Sequence, residues 1–154
     1  MHIRPYERND AEALVTLFYE TVRVVNAADY TAEQLHAWAP VIPDPAVWHE
    51  RMAKRHTLVV EEKGKLFAFA ELDDSGYLEM FYCRHDVQRQ GIGSWLFDQL
   101  QTDAVELGLS RIFTDASITA RPFFERQGFR MVKQNSVVRD GVEMINFTME
   151  KRLV

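Results

Sequence analysis

The sequence predicts a single domain of the α/β (α+β) class that covers residues 1–154. Two observations predict it. A chain of 154 residues, 47% hydrophobic and 27% charged, can bury one core but is too short for two domains. Stretches of strand type also alternate with stretches of helical spacing, and no repeat or linker interrupts them. We therefore expect one mixed sheet with helices on its faces.

The first part of the chain predicts one short strand followed by three helices. Apolar and polar residues alternate over residues 2–6, which predicts the strand, and helical spacing over residues 11–25 predicts the first helix. Thr31-Ala32-Glu33-Gln34 has the pattern of a capping box and predicts the start of the second helix. Asp44-Pro45 predicts the start of a third helix that reaches about residue 55.

The rest of the chain predicts strands with two further helices among them. Turn residues separate three apolar runs, which predict strands over residues 56–62, 65–72 and 77–83. Helical spacing followed by a glycine predicts helices over residues 94–107 and 119–127. Shorter runs predict strands over residues 111–114, 129–133 and 142–149, the last two on either side of Asp140-Gly141.

Charge and composition exclude several classes of function. Lys and Arg number 18 against 23 Asp and Glu, a net charge of −5, which disfavours nucleic acid and anionic membranes as partners. No apolar run approaches the roughly 20 residues of a membrane span, and the N-terminus lacks the apolar stretch of a signal peptide, so we expect a cytoplasmic protein. Cys83 is the only cysteine and the histidines lack metal-ligand spacing, so we expect no metal.

The most informative segment lies between a predicted strand and a predicted helix, and it reads Val87-Gln88-Arg89-Gln90-Gly91-Ile92-Gly93-Ser94. Glycines at 91 and 93 let the backbone approach a ligand closely. Free N–H groups at the start of the helix favour an anion there, with about half a positive charge from the helix dipole. The alternative interpretation is a glycine turn that only connects the strand to the helix.

Comparison with known glycine motifs points to one family. The segment lacks both the G-x-G-x-x-G dinucleotide fingerprint and the P-loop. It resembles the [QR]-x-x-G-x-[GA] acyl-coenzyme A loop of the GCN5-related N-acetyltransferases (GNAT), with Gln88, Gly91 and Gly93 at the matching positions. Residues 120–129, Ala-Arg-Pro-Phe-Phe-Glu-Arg-Gln-Gly-Phe, are similar to the family's later A-x-x-F-Y-E-x-x-G-F element. The element order extends the resemblance to essentially the whole chain.

This resemblance implies the fold and the cofactor half of a site. It implies the GNAT fold, a central mixed, mostly antiparallel twisted sheet of about six to seven strands flanked by about four helices. Acetyl-CoA would be the co-substrate, and the strand before the loop would splay from its neighbour near Phe81 and Cys83. Arg84 and Arg89 would add local positive charge. The residues expected to bind the cofactor are Phe81, Cys83, Gln88, Arg89, Gln90, Gly91, Gly93, Ser94, Ser117 and Phe124.

A candidate general base lies on the strand before the loop. Period two places Tyr77, Glu79, Phe81 and Cys83 on one face, and Glu79 is the only carboxylate among them. The resemblance maps the family's proton acceptor onto Glu79 and Tyr77, so we expect Glu79 to act as general base, directly or through water. The alternative is that Glu79 is a solvated or salt-bridged strand residue.

Two positions depart from the family pattern. Phe124 stands where many members have the Tyr that protonates the leaving thiolate, and Ser117 stands where Asn often contacts the cofactor. A phenyl ring cannot donate a proton, so another group supplies it, the thiolate leaves unassisted, or catalysis is weak. Tyr77 and Tyr82 are candidate substitutes, although periodicity turns Tyr82 to the opposite face, where packing explains it better.

The region between the first two helices borders the acceptor pocket in this family. Asp29 could attract a cationic amine, and Tyr30 and Trp38 could form an aromatic wall for it, although ordinary packing also explains Trp38. Cys83 is expected to be a small buried residue rather than a nucleophile.

These observations favour an N-acetyltransferase that moves an acetyl group from acetyl-CoA to a primary amine of a small molecule or peptide by direct attack in a ternary complex. The alternative is an acyl-CoA-binding sensor with weak or no catalysis, which Phe124 and Ser117 motivate. The acidic balance of the chain mildly favours a cationic acceptor. The resemblance leaves a homodimer open.

Overall fold

The computed structural model describes residues 1–153, which form seven strands and five α-helices. In chain order they are β1 (His2–Pro5), α1 (Ala11–Val24), α2 (Ala32–Trp38), α3 (Pro45–Met52), β2 (His56–Glu62), β3 (Lys65–Leu72), β4 (Leu78–Cys83), α4 (Ile92–Glu106), β5 (Arg111–Ser117), α5 (Arg121–Arg126), β6 (Arg130–Arg139) and β7 (Val142–Arg152). Every predicted helix and strand is present. Within these residues no helix is both long and apolar enough to cross a membrane.

The sheet is split into two antiparallel parts. One has the order β1-β2-β3-β4 and the other the order β5-β7-β6. They meet where Tyr77 pairs with Phe113 in a parallel bridge and where the Thr114 hydroxyl donates to the Leu78 carbonyl at 2.8 Å. Within residues 1–153 the β5-facing edge of β4 has no strand partner beyond this point. The single mixed sheet expected from the sequence is therefore opened by a cleft between β4 and β5.

Helices cover both faces of the sheet. Helices α1 to α3 bury Leu14, Trp48 and Met52 against Val59 and Phe69 on one face. On the other face α4 and α5 bury a second set against the strands, which includes Leu96, Phe97, Leu100, Phe124 and Ile112. Since both faces are covered, the cleft between β4 and β5 is lined by side chains from helices as well as from strands.

Two local sequence signals correctly predict the start of α2 and the turn between β6 and β7. The Thr31 hydroxyl accepts from the Gln34 amide while the Gln34 side chain accepts from the Thr31 amide, which confirms the capping box of α2. Asp140 and Gly141 both have positive φ, 49° and 75°, and form the two-residue turn between β6 and β7. This turn fixes the register of β6 and β7 beside it, where Arg139 pairs with Val142.

Three strands are longer than their apolar patterns predict. Strand β6 continues to Arg139 instead of ending at residue 133, β5 continues to Ser117, and β7 continues to Arg152. Nearly all of β6 is exposed, so no buried face leaves a period-two pattern in its sequence. Its extent is fixed by backbone pairing with β7, which side-chain periodicity does not report.

Candidate active site

Two cavities meet at the cleft between β4 and β5. The first has a volume of about 750 Å³ and lies against the end of β4, residues 87–94, β5 and α5. The second, of about 460 Å³, lies against β4, β5 and the β6–β7 hairpin. The residues that line both cavities are Trp38, Glu79, Tyr82, Asp115 and Ser117. We call these five residues the junction.

The loop before α4 presents backbone to the first cavity. Gly91 caps α4 with a φ of +80°, and Arg89 two residues earlier also has a positive φ, 61°. A side chain on Gly93 would place its Cβ 3.1 Å from the Phe123 ring and 3.4 Å from the Cys83 sulfur. The backbone of Gly93 thus lies directly against the cavity wall, and the amides at the start of this 15-residue helix are available to an anion.

Not every loop residue expected to bind the cofactor faces the cavity. Gln88, Arg89, Gly91, Gly93 and Ser94 line it. Gln90, by contrast, is exposed and does not line the cavity, so its position does not support the expected contact with the cofactor. The Gln88 side chain donates to the Cys83 carbonyl at 2.8 Å and to the Arg84 carbonyl at 3.3 Å, and so ties the loop to the end of β4.

The positive charge beside the loop comes from a different arginine than expected. Arg84 forms a two-point ion pair with Asp86 and does not line the cavity. Arg126, at the end of α5, lines it together with Arg89. Neither Arg89 nor Arg126 has an ion-pair partner within residues 1–153. Two free guanidinium groups beside a helix N-terminus fit the pyrophosphate of a coenzyme A ester.

A β-bulge in β4 changes which side chains share a face. Leu78 pairs with Leu72 and Met80 with Glu71, so Glu79 is the extra, unpaired residue. Beyond the bulge Phe81 and Cys83 face the first cavity, whereas Tyr77 lines only the second. The expectation that period two places Tyr77 on the face of Phe81 and Cys83 is therefore wrong, because the bulge interrupts the alternation.

Glu79 lies at the junction and is only weakly engaged by cations. Its nearest ion-pair partner is Arg55, 3.9 Å away. Arg55 makes a closer contact of 2.8 Å with Glu71, which is fully buried and also held by Arg51 at 2.7 and 2.8 Å. The side chain of Glu79 retains 30% exposure. Its carboxylate can therefore accept a hydrogen bond or a proton from a group in either cavity.

Asp115 is a second junction carboxylate that the sequence analysis missed. It accepts from the Tyr77 hydroxyl at 3.1 Å and from the Thr148 hydroxyl at 2.8 Å. Asn135 donates to the same Thr148 hydroxyl at 2.9 Å. Burial, followed by the charge of Asp115, raises the pKa of Tyr77, so this phenol stays protonated and donates to Asp115. A strand prediction that extended past residue 114 would have placed Asp115 on the same face as Phe113 and Ser117.

Aromatic packing closes the wall of the first cavity. Phe124 is 4% exposed, and its ring lies 5.9 Å from that of Phe81 and 5.0 Å from that of Phe129. Burial raises the pKa of the Cys83 thiol to about 11, so at neutral pH it is not a thiolate. The Ser117 hydroxyl accepts from the Ala120 amide at 3.0 Å, which leaves its own proton free to donate.

The ring of Tyr82 is fixed by packing, as the sequence analysis predicts from its place on the opposite face of the strand. Its ring lies 5.2 Å from Phe18 and 5.9 Å from Phe69, and burial raises the pKa of its hydroxyl.

The residues expected at the acceptor side are only partly brought together. Tyr30 and Trp38 pack edge to face at 5.4 Å and line the second cavity. The Tyr30 hydroxyl donates to the Ile145 carbonyl at 2.7 Å and accepts from the Ile118 amide at 2.9 Å, so its orientation is fixed. Asp29 is exposed, directly follows the 3-10 turn Asn26–Ala28 and lines neither cavity, so its position does not support the expected contact with the acceptor.

The structure thus has a split sheet with a glycine loop and a helix N-terminus beside the opening. The sequence profile described as "Acetyltransferase (GNAT) domain" matches residues 26–151. A protein of Escherichia coli (strain K12) described as "Uncharacterized N-acetyltransferase YafP" is 33% identical over 97% of this chain and 94% of its own length. The chain belongs to the GNAT acetyltransferase family.

Solved structures agree with the fold. A GCN5-related N-acetyltransferase from Rhodopseudomonas palustris superimposes with a TM-score of 0.92, at 31% identity over 99% of this chain and 95% of that one. The structure of yncA, "a putative ACETYLTRANSFERASE from Salmonella typhimurium with its cofactor Acetyl-CoA", superimposes with a TM-score of 0.77, at 20% identity over 100% of this chain and 94% of that one. The second likeness concerns the fold alone.

Proposed function

We propose that this protein is an N-acetyltransferase that moves an acetyl group from acetyl-CoA to a primary amine of a small molecule or peptide. The observation that carries the proposal is the junction. It connects a cavity suited to a coenzyme A ester with a second cavity, and it holds the carboxylate of Glu79 where the two meet. An amine in the second cavity and a thioester in the first would therefore react beside a proton acceptor.

The first cavity binds acetyl-CoA in this proposal. The amides of residues 91–94 and the guanidinium groups of Arg89 and Arg126 hold the pyrophosphate, because they are the free donors and cations beside that opening. The unpaired edge of β4 near Phe81 and Cys83 offers backbone groups to the pantetheine arm. When bound, acetyl-CoA supplies an acetyl thioester with a good leaving group.

Glu79 acts as the general base. Transfer forms a bond between the amine nitrogen and the acetyl carbon, breaks the carbon–sulfur bond, and releases a proton from the nitrogen. Glu79 takes this proton, directly or through water, since it lies at the junction and is held by a cation only at 3.9 Å. The protonated Cys83 thiol argues against a covalent acyl-enzyme, so attack is direct and requires both substrates together.

The leaving thiolate must obtain its proton elsewhere than from Phe124. The Ser117 hydroxyl is our candidate for a hydrogen-bond donor to the leaving sulfur, because Ser117 lines both cavities and its oxygen accepts from Ala120, which leaves the hydroxyl proton free. Water then supplies the proton that the thiolate takes up. Tyr82 lines both cavities too, but its ring is fixed between Phe18 and Phe69.

A sensor that binds acyl-CoA without turnover is the second candidate function, and the phenyl ring of Phe124 in the cavity wall favours it. The experiment that separates the two measures acetyl-CoA-dependent thiol release against a panel of amines, polyamines and basic peptides. Isothermal titration with acetyl-CoA runs beside it. Turnover with any acceptor supports the enzyme. Tight binding with no turnover favours the sensor, and no binding contradicts both.

A further inference from the structure

We infer that the acceptor carries an acidic group as well as its amine, and that Arg139, which lines the second cavity, binds this group. The inference rests on the proposed function and specifies its substrate class. The simplest such acceptor is an α-amino acid with a large apolar side chain.

Arg139 is a cation without a partner in the structure. Within residues 1–153 its guanidinium has no ion pair and no side-chain hydrogen bond, yet it lines the second cavity. The other arginine there, Arg51, is held by the buried Glu71 through contacts of 2.7 and 2.8 Å. Of the two, only Arg139 has its full set of donors available to a ligand.

The β6–β7 hairpin places Arg139 at the cavity. The two-residue turn at Asp140 and Gly141 sets the register, in which Arg139 pairs with Val142. Alternation then turns Val137 and Arg139 to the side of the cavity and leaves Val138, between them, outside it; the Arg139 side chain is also exposed to solvent. Strand geometry therefore sets the side of β6 from which Arg139 projects.

The carboxylates and the unpaired arginine of the second cavity come from different elements. Glu79 and Asp115 belong to the junction on β4 and β5, and Arg139 comes from the hairpin, while the charge of Arg51 is compensated by Glu71. The positive charge of Arg139 also acts on the hydroxyl of Tyr82, where it opposes the rise in pKa caused by burial. A ligand with one ammonium and one acidic group matches this arrangement, since each of these two groups meets an opposite charge in the cavity.

The rest of the lining sets the character of the ligand's body. It includes aromatic and apolar side chains, among them Phe18, Trp38, Met80, Val137 and Ile145, but polar atoms contribute more of its exposed surface than apolar atoms do. At about 460 Å³ the cavity is within the range of small-molecule sites. An acceptor whose ammonium and acid share one carbon can turn its side chain against the aromatic and apolar part of this wall.

The test compares pairs of acceptors in which one member carries a carboxylate and the other lacks it. Thiol release is measured with L-phenylalanine against phenethylamine, L-tyrosine against tyramine, and L-methionine against 3-(methylthio)propylamine. We expect kcat/KM to be about tenfold or more higher for the acid of each pair, since a charge-assisted contact is lost with the carboxylate. A series with aminoalkyl phosphonates distinguishes a phosphonate or phosphate group from a carboxylate.

Variants assign the effect to Arg139. In R139Q the ratio of kcat/KM between acid and amine should fall about tenfold, and R139K should recover part of it. K133Q is the matched control, because Lys133 is exposed on the same strand but lies outside the cavity, and it should keep the ratio of the unaltered protein. A ratio near one in the unaltered protein, or a ratio unchanged by R139Q, overturns the inference.

Failure of this inference is distinguishable from failure of the proposed function. Turnover of the amines with no preference for the acids overturns the acidic acceptor and leaves the acetyltransferase in place. Absence of turnover with every acceptor, acidic or not, overturns the proposed function and this inference together.

Discussion

The Tyr77 hydroxyl donates to Asp115 at 3.1 Å across the point where β4 and β5 separate. Tyr77 belongs to the bridge that joins the two parts of the sheet, and Asp115 belongs to the junction of the two cavities. The contact therefore links the place where the sheet is closed to the place where we expect chemistry.

Alkaline titration should report the environment of Tyr77. Its pKa lies above the ordinary value of 10, so the native state retains a proton that the unfolded state releases. Stability from this group is present below that value and is lost as pH rises further. We expect the free energy of unfolding to decrease above pH 10, with a smaller decrease in Tyr77→Phe. Urea unfolding at several alkaline pH values measures the free energy of unfolding of both proteins. If it decreases equally steeply with pH in both, the raised pKa of Tyr77 is contradicted.

Replacing Glu79 by Gln should lower kcat by about 10²- to 10⁴-fold, because the amide cannot accept the proton of the attacking amine. The Kd for acetyl-CoA, measured by calorimetry, should stay the same. Glu62→Gln is the control, since Glu62 is an exposed carboxylate on β2 that lines neither cavity. Full activity in Glu79→Gln would instead support the salt-bridge role beside Arg55.

Gly91 and Gly64 form a matched pair for the coenzyme loop. Their φ values are +80° and +79°, and a Cβ on either would meet nothing within 4 Å. Changing either to Ala should destabilise the fold by about 1 kcal/mol through backbone strain alone. Only Gly91→Ala should also weaken acetyl-CoA binding, because only Gly91 lines the first cavity. Equal affinity in the two variants would indicate a connecting turn without a ligand role.

Arg126→Gln should weaken acetyl-CoA binding about tenfold at low salt and less at high salt, since the contact is a charge-assisted one that ions screen. Arg130→Gln is the comparison, because Arg130 lies four residues further along and binds Glu150 at 3.2 Å instead of facing the cavity. Calorimetry at two ionic strengths decides the point. An unchanged Kd in Arg126→Gln would show that Arg126 does not contact the pyrophosphate.

Phe124→Tyr should raise kcat by about tenfold if the leaving thiolate lacks an efficient proton donor. The ring already lines the first cavity, so the variant adds a hydroxyl to an existing wall. Single-turnover thiol release compares the two proteins at equal acetyl-CoA saturation. No gain would mean that the leaving thiolate is already stabilised, and if the Ser117 hydroxyl stabilises it by a hydrogen bond, Ser117→Ala should reduce kcat.

The sequence predicts the lining of the first cavity better than the lining of the second. Gly91, Gly93 and Ser94 depend on a local strand–loop–helix pattern, which short-range sequence signals describe. Asp115 and Arg139 reach the second cavity through strand pairing and a hairpin register, which are non-local. The placement of Tyr77 was predicted wrongly because one inserted residue, Glu79, reverses the alternation of β4 and leaves no mark in the residue types.

The β6–β7 hairpin contributes Val137, Arg139, Met144, Ile145 and Asn146 to the second cavity and nothing to the first. In the proposed function, this hairpin contacts only the acceptor. We therefore expect substitutions in the hairpin to change the preference among amines while the affinity for acetyl-CoA stays constant. Chimeras that exchange only residues 134–147 would transfer acceptor preference between relatives as a unit.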